Sequence, residues 1–355
     1  MEKPNPALLH QTISAAIAAL DFDRIWPGFR PLKFALYNDE ECFFDGQYIE
    51  KTVDFCANTA IEFHGETVAI WNVQSDMSIP VFASKIVHEM FHGFQSLQGW
   101  ACFANETEAL FRYEYNAENL GRKLYENNLL LDLLDRFEES KYRALMNSRK
   151  YRSGQFPYEF AYESRAEEIE GTANYVEWQV LRQLDRDRAA EFEDRMRRTV
   201  PRPETFFPIR QSSYFTGALM IHAMRSAGEY PFVSERRPVI LTALDALPSP
   251  DGMPPVDPES AGRVGEALSA FLRESGRIVR SAVRRGDIVR RGPLELVSVN
   301  TYDARCFEGY LTSRYFVMFR ENGEDKIADG NFVIKMRDEK TIDTIYRWNG
   351  EEHSV

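Results

Sequence analysis

The sequence predicts an α+β chain with three parts. The middle is mostly helical, the N-terminal part mixes helix with sheet, and the C-terminal end is a small antiparallel β unit. Three observations carry this. Apolar residues recur at helical spacing through most of 76–285. Short β-rich runs fall before residue 75 and after residue 286. Turn pairs Asn322-Gly323, Asp329-Gly330 and Asn349-Gly350 gather in the last part of the chain.

Residues 1–75 read as a helix near Pro6–Leu20, then strands at Pro31–Tyr37, Thr59–Phe63 and Thr67–Val73, the last two joined across His64-Gly65-Glu66. A helix is expected after Ser78-Ile79-Pro80, because proline suits a first helical turn. Its apolar face is Phe82, Ile86, Met90 and Phe94. A long helical stretch over about 105–148 carries the cluster Leu129–Leu134. Beyond Gly154 and Pro157, helices are expected at about 159–184, 186–198 and 213–227, which completes a unit of 76–230. A connection over 231–285 starts in a proline-rich loop (Pro238, Pro248, Pro250, Pro254, Pro255, Pro258) and ends in a helix at about 260–285. Residues 286–355 shift to strands at Leu294–Val299, Tyr310–Arg320 and Phe332–Met336.

Composition narrows function. Of 355 residues, 43 are Lys or Arg and 55 are Asp or Glu, a net charge of −12. That balance argues against bulk binding to nucleic acid or anionic membrane, both of which need clustered cations. No apolar run reaches the ~20 residues of a membrane span, and Met1-Glu2-Lys3-Pro4 is not a cationic signal start. Cys42, Cys56, Cys102 and Cys306 show no metal or redox spacing, so thiols in a reducing cytoplasm are expected.

One motif carries chemistry, His88-Glu89-Met90-Phe91-His92. On a helix, i and i+4 share a face, so both imidazoles can bind one zinc ion. Glu89 is rotated off that axis, where it can take a proton from water rather than bind the metal. His10, His64, His222 and His353 sit in no motif. A third ligand is therefore sought on the carboxylate-rich helix 163–177. Glu163, Glu167, Glu170, Asn174 and Glu177 share a face there, and small Gly171 and Ala173 beside Glu170 would let this helix approach the histidine helix closely. Glu170, at the edge of the buried stripe, is the first candidate, with Glu167 and Glu163 as alternatives. The other glutamates would raise the field that attracts a cation. Tyr214-Phe215-Thr216-Gly217 opens another helix and could aim a phenol at an oxyanion.

This set resembles the gluzincin clan of zinc peptidases, which includes thermolysin-like and aminopeptidase-like families. The resemblance spans about residues 67–220 and rests on His88-Glu89-x-x-His92, the Glu170-Gly171-x-Ala173 helix and Tyr214-x-x-Gly217. It implies a zincin-like catalytic domain with one Zn²⁺ ion on His88, His92 and Glu170. Glu89 would be general base, and Tyr214 would stabilise the oxyanion. It further implies that the strand 67–73 is a sheet edge, with Ala69, Ile70, Trp71 and Asn72 holding substrate backbone by strand addition. A helical insert at about 103–157 separates the histidines from Glu170. The Gly-Ala-Met-Glu-Asn exopeptidase motif is absent, and Gln95 and Gln98 stand where a metzincin would place a third histidine.

The expectation is a cytoplasmic zinc metallopeptidase acting on peptides or small proteins. The competing reading is a non-catalytic peptide- or protein-binding module on the same scaffold. A non-peptide amide substrate would share the metal chemistry. A di-iron site would need a second Glu-x-x-His, and none exists. Arg277, Arg280 and Arg284 share a helical face that reads as solvated. Met90, Phe91, Phe94, Trp100 and Trp178 read as core, and His222 as half-buried.

Overall fold

A computed structural model describes residues 5–73, 77–229, 239–245, 247–250, 252–253 and 255–349. Pro238, Pro254, the Asn349-Gly350 turn and His353 lie wholly or partly outside them. Helices α1 (Pro6–Ala18) and α2 (Phe22–Ile25) precede strands β1 (Lys33–Tyr37), β2 (Cys42–Phe44), β3 (Gln47–Ile49), β4 (Thr59–Phe63) and β5 (Glu66–Asn72). These form one sheet in the order β3-β2-β1-β5-β4, with β1 and β5 parallel and the other pairs antiparallel. Asp45-Gly46 and His64-Gly65 turn the β2–β3 and β4–β5 hairpins with positive φ at both positions.

This order corrects one expectation. The strand at 66–72 is interior, and β4 is the outer strand on that side. Its residues alternate across the pleat. Ala69 and Trp71 join the large core with Ile13 and Ile17 of α1, while Val68 and Ile70 face a second cluster with Phe55 and Phe63.

Helix α3 (Ile79–Leu97) crosses the sheet. Its apolar face, Phe82, Ile86, Met90, Phe91 and Phe94, is buried, and each such side chain contributes roughly 1.5–3 kcal/mol. A Cβ on Gly93 would stand 2.6 Å from Leu32 Cδ1 and 2.9 Å from Thr67 Cγ2. The bare glycine thus lets α3 lie directly on the sheet, one residue past His92.

The stretch read as one long helix is three: α4 (Glu106–Arg112), α5 (Ala117–Asp135) and α6 (Glu139–Gln155). Asn105 and Asn116 break it by capping, their side chains accepting from backbone N–H groups of the next turn. Helix α7 (Pro157–Ala166) runs through a π-helical turn at Glu167–Gly171 into α8 (Thr172–Leu184). Then follow α9 (Arg186–Thr199), α10 (Arg210–Ser226), α11 (Val239–Asp245) and α12 (Pro258–Arg285).

Strands β6 (Ile288–Val299), β7 (Cys306–Phe307), β8 (Tyr310–Ser313), β9 (Phe316–Glu321), β10 (Glu324–Asp329), β11 (Phe332–Met336) and β12 (Thr341–Arg347) form an antiparallel sheet, ordered β10-β9-β6-β12-β11-β8-β7. Asn322-Gly323 turns the β9–β10 hairpin, as its sequence signals. Val333 packs on Ile278, Val279 and Ala282 of α12, and Leu110 and Phe111 of α4 rest against the sheet's main cluster. Among the described residues no helix is long and apolar enough to cross a membrane. All four cysteines are free.

Candidate metal centre

His88 and His92 project from α3 one turn apart, with their Nε2 atoms 3.1 Å from each other. Glu170, on the π-turn, places Oε2 3.5 Å from His92 Nε2. Ligand atoms of the three residues all lie within 4.8 Å of one another. A tetrahedral zinc with bonds of about 2.0–2.1 Å sets its donors roughly 3.3 Å apart, so this spacing fits that ion.

The surrounding hydrogen bonds decide where the ring protons sit. Gln95 Nε2 donates to Ile169 O and to Thr172 Oγ1, both at 2.9 Å, which fixes its amide and leaves Oε1 as the acceptor. That oxygen lies 2.8 Å from His92 Nδ1, which must therefore carry the proton. The neutral ring then presents a bare Nε2 lone pair. On His88, buried Nδ1 has no hydrogen-bond partner in good alignment, but Glu177 Oε2 stands 3.2 Å away and favours a proton there. Its Nε2 is then bare as well. Two ring nitrogens 3.1 Å apart beside a carboxylate have the spacing that a shared cation would need.

Charges are held in place around this centre. Lys85 Nζ pairs with buried Glu177 at 2.9 Å. Arg210 Nη2 donates to Glu170 Oε1 at 2.7 Å, which leaves Oε2 for the histidines, and its Nε reaches Glu106 at 2.9 Å. Burial pushes the Glu170 carboxyl up, but His92 and Arg210 outweigh it and hold the group down at about 2. Burial lowers His92, but Glu170, with Glu89 and Gln95 adding to it, outweighs that, so the ring's pKa is raised. The Tyr214 hydroxyl accepts from Arg210 Nη1 at 2.5 Å, and burial with the Glu170 charge raises its pKa far above the ordinary phenol value.

Glu170 is thus the carboxylate the fold brings to the histidines. Glu163 and Glu167 are elsewhere, because the π-turn adds a residue and splits the glutamate stripe between two neighbours. Glu163 accepts both contacts of Arg152 Nη2 at 2.8 Å and a 2.6 Å bond from Tyr113. Glu167 pairs with Arg149 and accepts from Thr216 at 2.7 Å. Lys123 lies 3.0 Å from Glu163, and Arg152 also holds Glu126 at 2.8 Å. With three carboxylates matched by Lys123, Arg149 and Arg152, neither Glu163 nor Glu167 adds a free negative field at the centre, contrary to the sequence expectation.

A second correction concerns the glycine. Gly171 faces α10, not the histidine helix. A Cβ there would stand 2.4 Å from Gly217 Cα, and one on Gly217 would stand 2.5 Å from Glu167 O. This backbone contact seats α10 against the π-turn, bringing Arg210 and Tyr214 beside Glu170.

The centre opens on a cleft of about 1020 Å³. Lys85, His88, Glu89 and His92 of α3 line it, with Asn58 to Glu62 of the β4 edge along one side. Glu89, at 9% exposed, lies in the cleft but outside the three-donor group. Of the four residues expected to hold substrate, Trp71 reaches the cleft. Ala69 and Ile70 are fully buried within the sheet, and Asn72 is tied through its backbone N–H to Asn58 Oδ1 at 2.8 Å. Phe103 from the insert and Tyr302 from the C-terminal unit complete the wall, and Gln211 Nε2 donates to Tyr302 O at 3.2 Å.

Sequence reading overlooked Gln95, Lys85, Arg210 and Tyr302. Gln95 was within reach, since it follows His92 by three residues on the same helical face. Arg210 stands one turn before Tyr214 and had the same signal. His222, by contrast, packs on Trp178 with ring centroids 5.3 Å apart and does not line the cleft. Comparison with family models, curated proteins and solved structures finds no match.

The Gln95 tie makes a direct prediction. Gln95→Leu frees the His92 ring to turn and is expected to weaken zinc affinity by about 10–100-fold. Competition against a chromophoric chelator measures this; unchanged affinity would remove Gln95 from the centre.

Proposed function

We propose that the chain is a zinc-dependent hydrolase, a peptidase of zincin-like build, with His88, His92 and Glu170 as ligands. The observation that carries this is the convergence of His88 Nε2, His92 Nε2 and the Glu170 carboxylate at 3.1 and 3.5 Å, in the lining of a cleft that also holds Glu89. The resemblance to gluzincins agrees with the same residues. A zinc ion there would supply Lewis acidity, lowering the pKa of a coordinated water toward ~7 and polarising a carbonyl.

The chain's own residues do the rest. Glu89 takes the proton of the attacking water and returns it to the leaving amine. Tyr214, aligned by Arg210, donates to the oxyanion. Lys85 through Glu177, and Gln95 through the Ile169 carbonyl of the π-turn and the Thr172 hydroxyl, keep the two imidazoles facing the same point. The exposed edge of β4 offers N–H and C=O groups to an extended peptide, which takes over the role first given to 67–73.

The test is metal content followed by cleavage. Purified protein reconstituted with zinc should hold one ion per chain, and zinc at 100-fold its Kd should stabilise the fold by about 2.7 kcal/mol in thermal unfolding. It should also cleave members of a fluorogenic peptide library, with activity lost on chelation. Absence of stoichiometric zinc after reconstitution overturns the proposal.

A further inference from the structure

The cations lining the cleft are not equivalent. Among the described lining residues these are Lys85, Arg195 and Arg210. Lys85 is neutralised by Glu177, and Arg210 by Glu106 and Glu170. Arg195, on α9, has no carboxylate and no hydrogen-bond acceptor among the described residues. Its guanidinium lies 5.0 Å over the Phe192 ring and 5.8 Å from the Phe215 ring. Those rings pack edge to face at 5.7 Å, so the platform is rigid. The rings cover the guanidinium from one side and provide no acceptor, so its N–H groups are left for a ligand, and a carboxylate is the partner they match best.

A second hollow of about 630 Å³ adjoins the cleft and shares Lys85, Phe192 and Arg195 with it. Its other charges largely cancel, with Arg188 on Glu191 at 2.7 Å. Arg198 reaches only the backbone oxygen of Asp194, at 3.2 Å. The adjoining hollow therefore presents two arginines, Arg195 and Arg198, with no carboxylate partner among the described residues, in a chain whose net charge is −12. Elsewhere among the described lining residues of the cleft, Lys85 and Arg210 each have a carboxylate partner.

We infer that Arg195 reads a carboxylate of the substrate, so that the preferred peptides carry an acidic group on the α9 side of the cut bond. This rests on the hydrolase reading for its substrate class, though binding alone can test it. The group is either an Asp or Glu side chain or the peptide's C-terminal carboxylate, since both present the same two oxygens.

The probe is a set of fluorescein-labelled alanine-based octapeptides. One Glu or Gln is walked along each, and each is made with a free or an amidated C terminus. Binding is measured by anisotropy on zinc-loaded Glu89→Gln protein, and cleavage on the wild type. At one position the Glu peptide should bind about tenfold or more tightly than its Gln twin, or the free acid than the amide. The first outcome assigns a side-chain subsite and the second a C-terminal one. Arg195→Met should bring that ratio near one, and Arg195→Lys should restore part of it. Arg195 is exposed, so both variants should fold. Equal binding of every pair, no binding at all, or a ratio unmoved in Arg195→Met overturns the inference. An intact acidic preference without cleavage by wild type overturns the hydrolase reading and leaves this one; cleavage with no acidic preference does the reverse.

Discussion

A Glu89→Gln chain is expected to keep one zinc ion and lose about 10²–10⁴-fold in kcat, the usual contribution of a positioned general base. Glutamine keeps the shape of the side chain and removes only its capacity to take a proton. The three proposed ligand atoms belong to His88, His92 and Glu170, so metal content should not change. Zinc analysis and peptide turnover on one preparation check both halves. Full turnover would take Glu89 out of the chemistry, and loss of zinc would make it a ligand. His92→Ala supplies the contrast, because it should lose metal and turnover together.

Arg152→Met should destabilise the fold by about 3–5 kcal/mol, the range for breaking one side of a buried ion network. Arg152 is fully buried and holds Glu163, Glu126 and Asn119 at once. Without it, three carboxylates remain out of water (Glu126, Glu163 and Glu167), with only Lys123 and Arg149 left to neutralise them. Urea unfolding measures the loss. The dependence on pH gives a second reading. Burial pushes Glu163 up, but Arg152 and Lys123 hold it down at about 2, below the ~4.3 of an unfolded chain. A depressed carboxyl contributes stability above its unfolded value and loses it as pH falls toward the folded one. The wild type should therefore lose ground between about pH 4.3 and pH 2, and the gap to Arg152→Met should narrow there. A gap of equal size at pH 7 and pH 3 would mean that Arg152 acts by packing alone.

Much of this was legible in the chain because it is local. The His88–His92 spacing, the Pro80 helix start and the Asn322-Gly323 hairpin each depend on neighbours within one or two turns. Glu170 was legible in part, as a polar residue at the rim of an apolar stripe. What could not be read is pairing across the fold. Ala69 to Asn72 look like any cleft-facing strand until sheet order puts β4 outside them. The stripe Glu163–Glu177 has a regular helical period, and only the π-turn divides it between the metal centre and an ion network. The partners Lys123, Arg149 and Arg152 come from the insert, whose sequence shows no tie to the motif. Strand β12 was missed because bulges against β6 break its alternation.

Tyr302 shows how work is divided along the chain. All three proposed metal ligands lie within 88–170, whereas this tyrosine reaches the cleft from a loop between β6 and β7, beyond residue 299. That loop can lengthen, shorten or change sequence over generations without disturbing a ligand or its hydrogen bonds. A lineage carrying this scaffold could redirect the proposed metal centre toward new substrates by altering a loop that joins two non-adjacent strands and holds no candidate ligand, so the histidine motif and the choice of substrate are free to evolve at different rates.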